Sequence, residues 1–293
     1  MSNLKETRSR ITTVSSTQQI TKAMKLVSAT KLRKAQMAIT QMRPYAEKLQ
    51  SILGNLSGSI EDASLAKYFE EREVNKVLLV VMTSDRGLCG AFNSNIVKRV
   101  KHLLNTKYAH LPKENVTLLF NGKKGGDLLA KLGYPAIMDN REIFQHLEAD
   151  NVFAFAQSLL DRFTEREFDR VELVYNQFKN AATQIITNEQ FLPVDIQAYA
   201  TEDSSANNDY IFEPSKVEIL EELVPRSLKT QVYKALLDSF ASEHGARMVA
   251  MDKATENAGD LMKALRLAYN QARQAAITTE LSEIVGGAAA LNG

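Results

Sequence analysis

The chain has no tryptophan, one cysteine (Cys89), four histidines and 6 prolines in 293 residues. A lone cysteine excludes a disulfide framework and any cysteine-rich zinc module, and it fits a reducing compartment. His102, His110, His146 and His244 share no metal-ligand spacing, and the helical pair Glu243 and His244 has no second ligand three or four residues on. Long apolar stretches are also missing: the longest, Val77 to Met82, is far short of the ~20 residues that span a bilayer. The opening residues MSNLKETRSR have neither the apolar core of a signal peptide nor a long Arg/Ser-rich leader, so a soluble intracellular chain is expected. Neither charge sign is in excess, with 36 Lys+Arg against 35 Asp+Glu, which excludes a globally basic nucleic-acid binder. What remains is 44% hydrophobic and 24% charged, enough apolar material for a packed core in about two domains.

Local charge is uneven. Residues 1–50 carry Lys5, Arg8, Arg10, Lys22, Lys25, Lys31, Arg33, Lys34, Arg43 and Lys48 against Glu6 and Glu47, whereas residues 201–224 are strongly acidic. A basic helix is either a solvated face or a contact for an acidic partner or phosphate.

Residues 3–57 are broken by no glycine before Gly54 and hold one proline, Pro44. Leu4, Ile11, Gln18, Lys25, Leu32, Ile39, Ala46 and Leu53 form one heptad column, and Thr7, Val14, Thr21, Ser28, Ala35, Met42, Leu49 and Leu56 the next. That period belongs to a helix that packs along another helix. Between Gln18 and Ser28 the seam is polar, with Met24, Leu26 and Val27 off it, so loose packing or a shared surface is expected there. The last third repeats the pattern. Glu213, Pro214 and Ser215 read as a helix start, and Pro225 either kinks that helix or begins a new one. Seam columns are expected on Met251, Ala258, Leu265 and Ala272 and on Ala254, Leu261, Ala268, Ala275 and Ala289. Gly245 and Gly259 each weaken the helix by about 1 kcal/mol relative to Ala. Met24, Met37, Met42, Met248 and Met251 are expected to pack near the seams.

Two seamed helices at opposite ends of one chain most simply pair as an antiparallel two-helix coiled coil. The C-terminal helix is the longer. Its surplus, Ile277 to Leu291, is rich in Leu, Ile, Val and Ala but has only Glu280 and Glu283 as charges. So apolar an end is expected to insert into another protein.

The middle, 75–200, switches period. Val77 to Met82 suits a buried strand, 92–106 a helix, Val116 to Phe120 a second strand and Asp127 to Leu132 a helix. A helix over 151–166 and an antiparallel pair over 171–178 and 183–191 follow, with 201–213 a polar linker. This alternation predicts a Rossmann-like α/β domain inserted between a coiled-coil helix at 1–57 and another at 214–293.

Two loops invite chemistry. Gly122 to Asp127 (GKKGGD) follows a strand but matches neither common phosphate-binding fingerprint, and reads as a turn without ligand. Ser84 to Gly90 (SDRGLCG) ends the first strand, where open α/β sheets bind ligands. Cys89 could serve as a nucleophile, but no histidine is placed beside it, and a lone cysteine is more often a small buried residue. No carboxylate pair or triad occurs, so no catalytic, cofactor or metal residue is assigned. The alternatives at this level are an enzyme whose helices only dimerise it, or a free coiled-coil scaffold.

Three long segments carry a family resemblance: Ile20 to Gln36, Thr83 to Asn93, and Ala241 to Ala258 with Tyr269 to Leu291. Together they are similar to the gamma subunit of F-type ATP synthases, the central rotor shaft, over essentially the whole chain. The resemblance implies a non-catalytic subunit without cofactor or metal that couples proton-driven rotation of a c-subunit ring to ATP synthesis. Its partners would be the alpha and beta subunits, the epsilon subunit and the c ring, with no nucleic acid. It would lie at the cytoplasmic face of a bacterial plasma membrane as a peripheral protein. By motif, Met24, Lys25 and Arg247, and nearer the tip Arg273, Gln274, Thr278 and Glu280, fall in the beta-subunit contact zone, while Ile284, Val285 and Leu291 form the apolar bearing. Two departures are noted: His244-Gly245 where Gln-Ala is expected, and Gly286 for Ser. The first is expected to add flexibility near Arg247.

Overall fold

A computed structural model describes residues 4–56, 67–138, 142–194 and 215–291, with 47, 50, 51, 53–56, 216, 217 and 289–291 by backbone alone. The elements in chain order are α1 (Leu4–Leu56), β1 (Val77–Met82), α2 (Phe92–Asn105), β2 (Val116–Asn121), α3 (Lys123–Leu129), β3 (Ala136–Ile137), α4 (Ala149–Thr164), β4 (Arg170–Phe178), β5 (Gln184–Leu192) and α5 (Lys216–Leu291). The proposed linker at 201–213 lies outside the described residues, as do Glu213 and Pro214.

The chain falls into two compact units, 29–247 and a pair of segments, 1–28 with 248–293. In the larger unit the sheet order is β3-β2-β1-β4-β5. β1 runs parallel to β2 and to β4, and β2 to β3. β5 returns antiparallel on β4. β1 is wholly buried because both its faces are covered. On one face Leu78, Val80 and Met82 meet Phe155, Leu159 and Phe163 of α4 and Leu220, Val224, Leu228 and Val232 of α5. On the other, Val77, Leu79 and Val81 pack with Ile96, Val100 and Leu104 of α2. The four-residue spacing on α5 places those apolar side chains on one helical stripe, which is why this helix joins the sheet.

Four expectations change. Of the two readings of Pro225, a new helix start is excluded, because Pro225 lies inside α5. The helix begins where Ser215 was read as its start: Ser215 Oγ caps it, accepting from the Glu218 amide at 3.3 Å and donating to Glu218 Oε1 at 3.1 Å. The helix expected from Asp127 starts earlier, at Lys123, so the glycine-rich segment is itself helical. Gly245 is a packing position rather than a soft spot, since an added Cβ would lie 3.1 Å from Ala181 Cα in the β4–β5 turn. Met37 is 56% exposed, off every seam, whereas Met251 is buried.

Against the sheet, α5 also buries Asp238. Burial raises its carboxyl pKa to about 6; Lys234 and Arg43 oppose the rise and Glu189 adds to it. Glu189 is occupied by Tyr175 Oη at 2.9 Å and Gln231 Nε2 at 2.6 Å. A folded-state value above the unfolded one means the stabilising contribution is complete below pH ~4 and is lost as pH rises through about 6. Above that point the ionised carboxylate costs up to about 3 kcal/mol. In chemical denaturation, the stability difference between D238N and the parent should therefore grow by that order from pH 4.5 to pH 7.5, in favour of D238N.

Candidate functional site

The loop that follows β1 is built by its own short side chains. Asn93, at the start of α2, accepts from the Ser84 amide (3.0 Å) and donates Nδ2 to Ser84 Oγ (2.7 Å) and Cys89 Sγ (3.2 Å). Ser84 Oγ donates to the Arg86 carbonyl at 2.7 Å. Cys89 is buried here, and burial raises its thiol pKa against smaller lowering effects from Ser84 and Arg247. A nucleophilic cysteine needs the opposite shift and exposure, so Cys89 is a packing residue.

Nor is the adjoining glycine-rich start of α3 arranged to receive a phosphate. Its first helical amides are already used: Lys123 N donates to Asp85 Oδ1 at 3.3 Å, Lys124 N to the Ser84 carbonyl at 3.0 Å and Gly125 N to Thr83 Oγ1 at 2.8 Å. Among the described residues no group of three His, Cys, Asp or Glu side chains could hold a metal ion.

Arg247 of α5 reaches this loop. It is 7% exposed. Nη2 donates to the Arg86 carbonyl at 2.9 Å and the Gly87 carbonyl at 3.3 Å, and Nη1 to Glu243 Oε1 at 2.5 Å. His244 lies alongside, stacked edge-on against Phe240, with its pKa lowered to about 3 by burial and then by Arg247 and Lys31, so it is neutral at every physiological pH. Burial pushes the Glu243 carboxyl up, and Arg247 pulls it back. A buried Arg–Glu pair that spends its remaining donors on two backbone carbonyls is a positioning device. Sequence motif placed Arg247 in a contact zone; in the isolated chain it points into its own loop.

In the smaller unit the two helices run antiparallel. Lys25 Nζ bonds Asp252 at 2.6 Å, Thr21 and Thr255 hydroxyls meet at 2.8 Å, and Gln18 Nε2 donates to the Thr255 carbonyl at 3.3 Å. The polar stretch expected to be loose is therefore a hydrogen-bonded seam, with Thr7, Thr21 and Ser28 buried. Short hydroxylated side chains let the helices approach, and the hydroxyls of Thr21, Ser28 and Thr255 are satisfied by backbone carbonyls or by one another. On α5 the second seam column is Thr255, Met262 and Tyr269, half-buried, while Leu261 and Ala268 face outward. The period was right and the phase off by one residue. Met24 is half-buried beside this seam; Ile20, Leu26 and Val27 are exposed.

Carried onward, the register sets Leu4 opposite the segment near Arg273, and burial on α5 stops at Ala272. Arg273, Gln274, Thr278 and Glu280 are all exposed. So is the apolar end: Ile277 is 49%, Leu281 56%, Ile284 62% and Val285 66% exposed. The side chain of Leu291 lies outside the described residues. No described helix is long and apolar enough to cross a membrane.

Comparison with known proteins sets this geometry in context. A family model described as ATP synthase matches residues 3–291. The ATP synthase gamma chain of Christiangramia forsetii is 56% identical over 293 residues, covering 100% of both chains. That of Flavobacterium johnsoniae is 57% identical over the same length and coverage. Among solved structures, a central stalk and c-ring assembly of Tetrahymena thermophila mitochondrial ATP synthase holds a chain 29% identical, with TM-score 0.57, covering 80% of this chain and 99% of that one. A Euglena gracilis mitochondrial ATP synthase chain, 23% identical, shares the fold at TM-score 0.66 over 98% of this chain and 94% of that one.

Proposed function

The chain belongs to the ATP synthase gamma-chain family, and from that premise we propose that it is the central-stalk rotor subunit of a proton-translocating F-type ATP synthase, non-catalytic in itself. Its partners are the alpha and beta subunits, the epsilon subunit and the c ring. It lies at the cytoplasmic face of a bacterial plasma membrane and is held there by the complex alone. The observation that carries this reading is the uncovered apolar end of α5, from Ile277 to Val285, beyond the point where α1 can cover it. Exposed side chains of that size on a well-formed helix are stable in water only at a cost that a surrounding protein removes.

Coupling then follows from contact energies. The helix pair presents different residues on each side, so each orientation has a different free energy of contact with each beta subunit. Rotation driven by the c ring thereby biases each catalytic site in turn towards binding ADP and phosphate, forming ATP or releasing it. Met24, Lys25, Arg273, Gln274, Thr278 and Glu280 are proposed as direct beta-subunit contacts and Ile284, Val285 and Leu291 as the tip bearing. Arg247 acts on that interface through the loop it holds. The amides of Lys123 to Gly125 are taken up within the chain, which leaves that segment no phosphate cradle.

Charge reversal at Lys25 tests the contact zone. Its bridge to Asp252 is solvent-exposed, so K25E should change the stability of the isolated chain by no more than about 1 kcal/mol. Proton pumping per ATP hydrolysed by the assembled complex should drop clearly. Equal stability loss with unchanged pumping would remove Lys25 from the contact zone.

A further inference from the structure

Where β4 begins, two guanidinium groups lack acceptors. Arg170 Nε of β4 and Arg99 Nε of α2 are buried without a hydrogen-bond partner among the described residues, and so is Asn188 Oδ1 of β5. Buried polar atoms left unpaired are costly, and they mark places where something outside the chain supplies the missing partner. All three side chains belong to one face of the sheet. Val171 and Leu173 pack towards α4 and α5, so Arg170 and Glu172, which alternate with them, face α2. Asn188 pairs with Val174, which also packs towards α2. Their level agrees as well. Asn176 Nδ2 donates to the Phe92 carbonyl at 3.3 Å and Tyr108 Oη to Glu172 at 2.5 Å, so α2 runs antiparallel along β4. Arg99, seven residues past Phe92, is then about 10 Å down the helix, opposite the stretch from Val174 to Glu172 and hence beside Asn188.

The charges in this cluster do not balance. Glu172 is wholly buried and already occupied, accepting from Lys107 Nζ, from Tyr108 Oη and from Asn188 Nδ2 at 3.0 Å. Tyr108 stays protonated, because burial and then Glu172 push its pKa up, and the Arg170 guanidinium borders the same hydroxyl. Arg99, Lys107 and Arg170 therefore outnumber the single carboxylate of Glu172, and the surplus favours an anion. Asn188 narrows the choice. Its Nδ2 is committed to Glu172, so its free Oδ1 calls for a donor on the ligand. Hydrogenphosphate has bare oxygens for the forked guanidiniums, a P–OH for Asn188 and a doubly negative charge. A carboxylate or a phosphodiester headgroup has no hydroxyl to give.

We propose that the chain binds inorganic phosphate between α2 and the β4–β5 pair, with Arg99 and Arg170 as its cationic ligands and Asn188 Oδ1 accepting from its P–OH. The site lies at the amino-terminal end of β4, at the opposite end of the parallel strands from the loop that Arg247 holds, and it does not depend on the rotor reading.

Calorimetric titration of the full chain with sodium phosphate, at an ionic strength held constant with chloride, should show saturable binding with a Kd of about 1 mM or below. The melting temperature should rise with phosphate, the folded-to-unfolded ratio gaining about a hundredfold at a hundred times Kd. R99Q and R170Q should each weaken binding by at least about tenfold, while K34Q, on the exposed face of α1, should leave it unchanged. E172Q removes the internal carboxylate and should tighten binding by about tenfold, a change that a purely structural Glu172 would not produce. Should R170Q fail to fold, R99Q and E172Q decide the matter. No saturable response to phosphate, or an affinity that R99Q and E172Q leave unchanged, would overturn the proposal. Vesicles of phosphatidylglycerol are the second probe: a chain that binds them while ignoring free phosphate has a headgroup surface, and the inorganic phosphate site is then wrong.

Discussion

Ending the chain after Ala276 should leave the isolated protein folded and uncouple the assembled complex. The segment removed contributes no buried side chain among the described residues, so the melting temperature should move by no more than a degree or two. In the assembly the same segment has much to lose. Burying Ile277, Leu281, Ile284 and Val285 from roughly half exposure releases about 1 kcal/mol each. Part of that is offset by ordering on association, so the net loss is smaller than the sum. An affinity for the alpha–beta ring weaker by roughly tenfold or more is expected. ATP hydrolysis by the ring should survive, as the proposed non-catalytic role requires, and proton pumping per ATP should fall. Titration of the shortened chain into the ring, followed by paired hydrolysis and pumping assays, reads all three quantities.

The second large effect is on folding. G122A should destabilise the chain by roughly 3–5 kcal/mol, enough to unfold a domain of ordinary stability. Gly122 joins β2 to α3 at φ +95°, and a Cβ there would sit 1.9 Å from the Thr83 carbonyl oxygen. That oxygen belongs to rigid backbone, for the Thr83 amide is bonded to the Asn121 carbonyl at 2.8 Å. Neither chain can yield without breaking the pairing of β1 with β2, on which both faces of the core depend. Gly87 is the control. Nothing lies within 4 Å of a Cβ added there, so G87A should cost less than about 1 kcal/mol. Urea denaturation of the two variants separates them, and similar losses in both would contradict the close-approach argument.

How much of this could be read from residues alone depended on whether the signal was local. The heptad columns of α1 were legible: Thr7, Thr21, Ser28, Leu32, Ala35 and Leu49 are all buried where the period put them. A continuous apolar run revealed β1, and the antiparallel pair expected over 171–178 and 183–191 is β4 with β5. The overhang at Ile277 was legible as well, because it needed only the lengths of two helices. Tertiary facts were not. The seam phase on α5 was misjudged because Ala254, Leu261 and Ala268 look better suited to a seam than Thr255, Met262 and Tyr269, and the hydrogen bonds that join Thr255 to Thr21 and Gln18 are not visible in a sequence. Gly125 and Gly126 disguised the start of α3, since glycine is a poor helix former; packing of Gly125 against Thr83 overrides that preference. Motif placed Arg247 in a contact zone, but its counter-ion Glu243 and its two carbonyl partners in the β1–α2 loop are visible only in three dimensions.

The most direct test of the account is amide hydrogen exchange over residues 277–288, measured in the free chain and again in the assembled synthase. A greasy helix end that waits for an enclosing partner should exchange within seconds when alone and be protected by at least about a hundredfold in the complex. Fast exchange in both states, or strong protection in the free chain, would contradict it.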